Sequence, residues 1–405
     1  MEFKRYKLND LSIDGGSYGI GASAVEYNKE LYTYLRITDI NEDGTLNYKD
    51  MMSVDDPKAN QYVLKKNDIC FARTGNSTGK SYFYDGSIKN LVYAGFLIKF
   101  SIDEDKVNPK YIKYYTMTSE YKNWVKEIQT GSTRGNINAK MYGNLDILIP
   151  ERAYQDKLVA VLDKITDKIK YNTQTNDNLL DISQTIYDNY IKENSDLKYS
   201  KIMDLNPRLE TGKRPSGGVN EINSGVPSIG AESIKGLGFF DYSKTKYISE
   251  EYFTKMKKGI VKGYEVLIYK DGGRPGYFTP NFSMFGEGFP YNKCALNEHV
   301  FLLDFNDIKF NVFAYYYFNS IETRNKLHVL GSKSAAIPGI NQQDILNLEI
   351  PSVENKSINE IIDILMLNTK KILKNSYQNY TLAKLRDTLL PKLMNGEIDL
   401  DKIEI

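Results

Sequence analysis

Two stretches of the chain carry an apolar residue every three or four positions. The first follows Ile149-Pro150 and runs through Leu158, Leu162, Ile165 and Ile169, then Leu179, Ile182, Ile186 and Tyr190. The second follows Ile350-Pro351 and runs through Ile361, Leu365, Ile372, Leu382, Leu385, Leu389 and Leu393. Steps of three and four residues align side chains along one helical seam, so both stretches are predicted helices. A single offset of 203 residues (158 to 361) superimposes the two stripes. The pattern favours two long helices pairing as an antiparallel coiled coil over two ordinary helical hairpins. A helix of about 37 residues would span roughly 55 Å. Asn172, Asn176 and Asn178 interrupt the first seam, and Asn375 and Asn379 the second. Polar residues at such positions loosen packing or mark a bend, and they can fix register.

The sequence ahead of each helix also repeats. YLRITDI (34–40) sits against SIGAESI (228–234), and LKKNDICFARTG (64–75) against VKGYEVLIYKDG (261–272). Each of the latter pair reads as a polar lead-in, a hydrophobic strand and a turn ending in glycine. GSTRGNI (131–137) parallels GSKSAAI (331–337), and LDILIP (145–150) parallels LNLEIP (346–351). Each globular part reads as many short strands plus one helix, near 109–127 and 309–327, and Trp124 packs in the first. The order is therefore domain, helix, domain, helix, with a period near 200 residues. Such a chain holds two related surfaces at a set separation.

Length and composition add bounds. At roughly 150 residues per domain, 405 residues predict two or three domains. Hydrophobic and charged fractions of 41% and 26% suit a globular protein with a sizeable core. No run of apolar residues is long enough for a membrane span, and the opening lacks the apolar run of a secretory peptide. Two cysteines, Cys70 and Cys294, make no disulfide framework and fit a reducing cytosol. The formal charge is +1, which leaves a basic face possible but gives no bulk signal for nucleic acid. Tyrosine is abundant, 32 residues, and serves equally in recognition surfaces and cores.

Catalytic chemistry is hard to find. His299 and His328 are the only histidines, too few with two cysteines for a multi-ligand zinc site. GGSYGIG (15–21) follows no clear strand and reads as a flexible loop. NPKY (108–111) lacks the second proline of the Asn-Pro-Pro-Tyr type motif of adenine methyltransferases, and Pro109 reads better as a helix start. Asp68 and Asp271 stand at strand ends in the two repeats without aligning, and no carboxylate cluster suited to metal-dependent cleavage is evident. What remains is binding. Residues 201–280 carry 13 Lys and Arg against 9 Asp and Glu. Arg36, Arg73, Lys80, Arg134 and Lys140 in the first repeat, and Lys213, Arg214, Lys270, Arg274 and Lys333 in the second, lie in or beside turns. Arg and Lys contact phosphates, and Arg reads guanine edges bidentately. Taken singly, each is more ordinarily a solvated surface cation.

With these features in place, the chain resembles the specificity subunit of type I restriction-modification systems over essentially its whole length. The resemblance rests on LAKLRDTLLPKLMNGEI (382–398), on the strand-proline-helix transitions at 145–170 and 346–372, and on GGSYGIGASA (15–24). It implies an α+β fold: two tandem mixed α/β target recognition domains separated by two long helices that form an antiparallel coiled coil. The expected domains are 1–150 and 200–350, with helical regions at 151–199 and 351–405. It implies that each domain reads half of a split DNA target. Loops around Ser17 and Tyr18, Arg73 to Lys80 and Arg134 to Lys140, then Lys213-Arg214, Lys270 to Arg274 and Lys333, would face DNA. Leu158, Leu162, Ile169, Leu179, Ile186, Ile361, Leu365, Ile372, Leu385 and Leu389 would hold the coiled coil. Two modification subunits would dock on the helices and restriction subunits would join them. S-adenosylmethionine, ATP and magnesium are expected on those partners, with no cofactor and no catalysis in this chain, in the cytoplasm. GGSYGIGASA matches LETGKRPSGGV (209–219) poorly, so the two half-sites are expected to differ. The alternatives are a non-catalytic nucleic-acid-binding scaffold of another helicase or nuclease complex, a protein adaptor, or a stand-alone enzyme.

Overall fold

The computed structural model describes residues 2–130, 135–194, 196–219, 223–333, 337–352 and 356–400. The chain condenses into two compact units. One comprises Met1–Thr166 with Lys384–Ile405, the other Asp167–Ala383.

The first unit opens with β1 (Lys4–Lys7), β2 (Ser17–Tyr18), β3 (Ala24–Val25), β4 (Tyr32–Leu35) and β5 (Met52–Val54). There follow β6 (Asp68–Ala72), β7 (Ser81–Phe83), β8 (Leu91–Tyr93) and β9 (Leu97–Ser101). Helices α1 (Pro109–Tyr115), α2 (Ser119–Thr130) and α3 (Ala139–Gly143) and strand β10 (Asp146–Ile149) lead into the long helix α4 (Arg152–Glu193). One sheet has the order β2-β9-β6-β7, another β3-β5-β4-β8, and β1 pairs antiparallel with β10. All five residues of β6 are buried, as a central strand with a covered face on either side requires. The core between sheet and helices is aromatic: Phe71 stacks on Tyr142 at 4.7 Å, and Trp124 lies 6.1 Å from Tyr121. The tyrosines also tie elements together. Tyr111 and Tyr115 on α1 donate to the carbonyls of Leu148 and Asp146 on β10, at 2.9 and 3.1 Å. Much of the tyrosine here is core, and the Tyr34, Tyr121 and Tyr142 hydroxyls likewise donate to backbone carbonyls.

The second unit follows with β11 (Tyr199–Lys201), β12 (Arg208–Thr211), β13 (Val226–Ile229), β14 (Lys246–Ile248), α5 (Glu250–Lys255) and β15 (Ile260–Val261). Then come β16 (Val266–Tyr269), β17 (Phe282–Met284), β18 (Cys294–Leu296) and β19 (Val300–Asp304). Helices α6 (Ile308–Asn319), α7 (Ile321–Gly331) and α8 (Gln342–Leu346), strand β20 (Glu349–Pro351) and the long helix α9 (Lys356–Met394) complete it. Its sheets run β12-β19-β16-β17 and β14-β13-β18-β15, and β11 pairs with β20.

The duplication read in the sequence is present in most strands, although β3, beside β5, has no counterpart beside β14 among the described residues. β6 and β16 each lie between an antiparallel hairpin partner and the strand that follows it in the helical half. β4 pairs in parallel with β8, as β13 does with β18. The lead-in turn is matched in detail. Asn67 and Tyr264 both take positive φ, 74° and 66°. The buried acids that follow, Asp68 and Glu265, each accept the backbone N–H three residues earlier, from Lys65 and Lys262 at 2.7 and 2.8 Å.

Three expectations need correction. The helix expected at 109–127 is two helices, and so is the one at 309–327. Thr118 and Ser320 cause the breaks: their hydroxyls donate back to the carbonyls of Tyr115 and Tyr317 and accept the N–H of Tyr121 and Thr323. Side-chain capping of that kind is invisible to apolar periodicity. The partner of Ile137 is Ile340, not Ile337. Ile137 and Ile340 donate to the carbonyls of Arg73 and Lys270 at 3.0 and 2.9 Å, whereas Ile337 is exposed. Finally, Leu145 and Leu348 are equivalent, each accepting from the strand that opens its domain, through Leu8 and Ile202. The match of LDILIP to LNLEIP is thus displaced by two residues. A shift of two leaves every strand side chain on its original face, so the apolar pattern cannot detect it.

The long helices pair within each unit. In the first, Leu158 and Leu162 are fully buried with Leu390 and Leu393, and the Tyr154 hydroxyl donates to the Leu393 carbonyl at 2.7 Å. In the second the seam is polar. Asn172 donates to Gln378 and Asn379, both at 2.8 Å. Asn176 donates to Ser376 at 3.1 Å and accepts from Asn375 at 2.9 Å. Asn368 donates to Ser183 at 3.0 Å. Each step up α4 is met by an equal step down α9, so the pairing is antiparallel. Leu365 and Ile372 are buried, while Ile169, Leu179, Ile186, Ile361 and Leu389 are half-buried. Leu385 and Ile182 are exposed, contrary to their expected place in the seam. Ser183, Tyr187 and Tyr190 are the buried positions instead. A stripe traced through apolar residues alone misses a seam whose middle is amide and hydroxyl.

Candidate nucleic-acid interface

In the first unit β6 delivers Arg73 at its end. The residue is fixed by its backbone: its N–H donates to Phe96 and its carbonyl accepts from Ile137, at 3.1 and 3.0 Å. Its guanidinium lies 5.0 Å from the Tyr18 ring centre, a cation–π distance. Tyr18 is itself held on β2, and its hydroxyl accepts the Ala139 N–H at 3.2 Å. Lys140, the next residue on α3, is exposed. Thus Tyr18, Arg73 and the start of α3 are brought together, while Arg134 lies outside the described residues.

The remaining candidates here are engaged internally. The Ser17 hydroxyl is 3.0 Å from that of Tyr93. Arg36 grips the buried Asp39 through Nε at 3.0 Å and through Nη2, and also reaches the Asp50 carbonyl at 2.7 Å. The hydrogen bond to Asp39 holds its guanidinium above the usual value despite burial. Lys80 pairs with Glu42 at 2.9 Å and donates to the Ile40 carbonyl. At the other end of β6, burial pushes Asp68 up, against hydrogen bonds from Lys65 and Ser101 and the charge of Lys99.

In the second unit the same scaffold position is Lys270. Its N–H donates to the His299 carbonyl at 3.0 Å and its carbonyl accepts from Ile340. Here the side chain is committed: Nζ lies 3.5 Å from Asp271 and 3.2 Å from the Glu298 carbonyl. His299 stands between Asp271, at 2.5 Å, and Glu298, at 3.5 Å. Arg214 pairs with Glu298 at 2.8 Å. Burial raises Glu298, but its own backbone N–H, Arg214 and His299 outweigh that and hold it below the usual carboxylate range. Arg274, Tyr277, Lys213 and Lys333 are exposed, and Tyr277 packs edge-on against His328 at 5.0 Å.

Sequence reasoning missed a lysine-lined cleft of about 450 Å³, formed by Lys213, Lys255, Lys257 and Lys258 around Gly212 and Tyr252. The run MKK at 256–258 was its signal, drowned by an equal number of acids elsewhere. The thiols are unsuited to nucleophilic work: burial pushes Cys70 well up and Cys294 to about 12. Among the described residues no group of three or more His, Cys, Asp and Glu is placed to hold a metal ion. No helix among them is long and apolar enough to cross a membrane.

The chain thus holds a duplicated domain, each copy followed by a long helix and carrying arginine, lysine and tyrosine on its loops. A sequence model described as the type I restriction modification DNA specificity domain matches residues 2–180 and again 194–379. The chain belongs to that family and carries two copies of its domain. It is 21% identical to the type I restriction enzyme HindI specificity subunit of Haemophilus influenzae, over 98% of this chain and 100% of that one. It is also 21% identical to the MjaIX specificity subunit of Methanocaldococcus jannaschii, over 75% of this chain and 72% of the other. The crystal structure of the type I restriction-modification S subunit from M. genitalium shares the fold, with a TM-score of 0.56 and 15% identity over 97% and 96% of the two chains.

Proposed function

We propose that this chain is the DNA-recognition subunit of a type I restriction-modification complex, reading an asymmetric bipartite target with one half-site per domain. The observation that carries the reading is the repeated loop face on a repeated scaffold, with different side chains at equivalent points. Arg73 corresponds to Lys270 and Phe96 to His299, each pair linked by the same backbone hydrogen bonds. Equivalent frames bearing unlike groups offer DNA unlike contacts, so the two half-sites differ. The complex forms in the cytoplasm, where modification subunits supply adenine methyl transfer and restriction subunits supply cleavage. Both dock outside the loop faces, and S-adenosylmethionine, ATP and magnesium reside on them. This chain contributes recognition and no bond-making step.

The test is the adenine methylation of genomic DNA, at single-base resolution, in cells making this chain and the modification subunit encoded beside it. A split motif with unlike halves that disappears on deletion of this chain is expected. Unchanged methylation on deletion, with the partner active, refutes the reading and favours a scaffold without sequence choice.

A further inference from the structure

The two loop faces differ at one scaffold point, and that difference assigns a role. At Lys270 the cation is used up within the protein, by Asp271 and by the Glu298 carbonyl. At Arg73 it is not. Among the described residues no carboxylate pairs with the Arg73 guanidinium. Among the described residues its buried Nε has no hydrogen-bond partner, and neither has the buried Asn136 Oδ1 next to Ile137. Buried donors and acceptors are rarely left unmet, because each costs what its desolvation costs. The arginine is held ready all the same. Its backbone is pinned on both sides, and its planar group rests on a tyrosine that is itself pinned at the hydroxyl. The buried Nε faces inward and is not what a partner would meet. The two terminal nitrogens are not shut off and have no hydrogen-bond or ion-pair partner among the described residues, and such a pair, held in orientation, suits an outside group that offers two acceptors in a plane. On duplex DNA that is the guanine edge, O6 with N7, in the major groove.

We infer that Arg73, stacked on Tyr18, reads a guanine in the half-site of the first domain, while its structural counterpart Lys270 reads no base and only braces its own loop. This rests on the DNA-recognition reading above and names the base that one residue takes. Phosphate offers planar acceptor pairs as well, so the test separates the two. A phosphate contact weakens all sequences alike and lowers the salt slope by about one, whereas a base contact flattens one position.

The experiment is a binding selection from a library randomised at both half-sites, using the full chain assembled with its modification subunits. The wild type is expected to select a motif with a fixed guanine in one half. In Arg73→Ala the preference at that base pair alone falls about 5- to 150-fold. In Arg73→Gln it moves toward adenine, which glutamine pairs bidentately. Tyr18→Ala weakens the same position, whereas Lys270→Ala, which unbraces its loop, flattens no single base pair. Unchanged thermal unfolding of Arg73→Ala verifies that the fold is intact. A wild-type motif that Arg73→Ala leaves unaltered, or weakens evenly at every sequence, overturns the assignment alone. A wild-type complex that selects no motif overturns the recognition reading and this assignment with it.

Discussion

Replacing Asn176 by leucine offers the sharpest test of the polar seam. The Asn176 amide donates to Ser376 Oγ at 3.1 Å and to the Ile372 carbonyl at 3.2 Å, and accepts from Asn375 at 2.9 Å. Asn375 is only 3% exposed. Leucine removes three hydrogen bonds and leaves the Asn375 amide buried without its acceptor. At about 1 kcal/mol per bond, plus about 1–3 kcal/mol for the stranded amide, less the gain from burying leucine, the net loss is about 3 kcal/mol. The double variant Asn176→Leu with Asn375→Leu strands nothing and restores an apolar seam, so it should unfold within about 1 kcal/mol of wild type. Because Asn375→Leu alone also breaks that bond, the coupling between the two sites is then at least about 2 kcal/mol. Urea unfolding followed by helical circular dichroism gives these differences, and amide exchange across 365–383 localises them. An apolar seam also permits slipped registers. The double variant should therefore lose the single spacing between methylated half-sites while remaining stable. A single variant as stable as wild type, or a double variant that loses the sum of the single losses, would refute the argument.

Other outcomes follow from the same geometry. Arg208 ties together Glu210, Glu265 and Asp304 at 3.1–3.2 Å, with Glu265 only 2% exposed, so Arg208→Met should cost about 3 kcal/mol at neutral pH. Burial raises Asp304, but hydrogen bonds from Asn311, the Asn306 backbone and Arg208 hold it below the usual range. Its stabilising contribution is present above about pH 4 and is lost as pH falls through its folded value, so the deficit of Arg208→Met should shrink in acid unfolding curves. Leu162→Ala, at a fully buried position in the first unit's core, should cost about 2–5 kcal/mol by thermal unfolding, whereas Leu385→Ala, at an exposed one, should cost under about 0.5 kcal/mol. Neutralising Lys213, Lys257 and Lys258 together should weaken DNA binding evenly across sequences. It should also reduce the salt slope by nearly three, read by titration at several salt concentrations.

Much of the architecture was legible in the chain itself. Apolar residues spaced by three and four marked both long helices. The repeated strand-and-turn segments marked the duplicated domain, because each copy must bury the same strands in the same order. Burial of Leu158, Leu162, Leu365 and Ile372 followed from that spacing. Tertiary structure decided the rest. Apolar period cannot see hydroxyl caps, so Thr118 and Ser320 split helices that looked continuous. It cannot separate strand registers two residues apart. Nor can it follow a seam built from asparagine and serine, which is why Leu385 and Ile182 looked internal and are not. The candidate surface was read least well. Arg36, Arg73 and Lys80 look alike in sequence, yet Arg36 grips Asp39, Lys80 grips Glu42, and Arg73 rests on Tyr18 with no carboxylate partner among the described residues. Which cation is spent within the protein and which is left for a partner depends on residues distant in sequence, and only the folded chain brings those together.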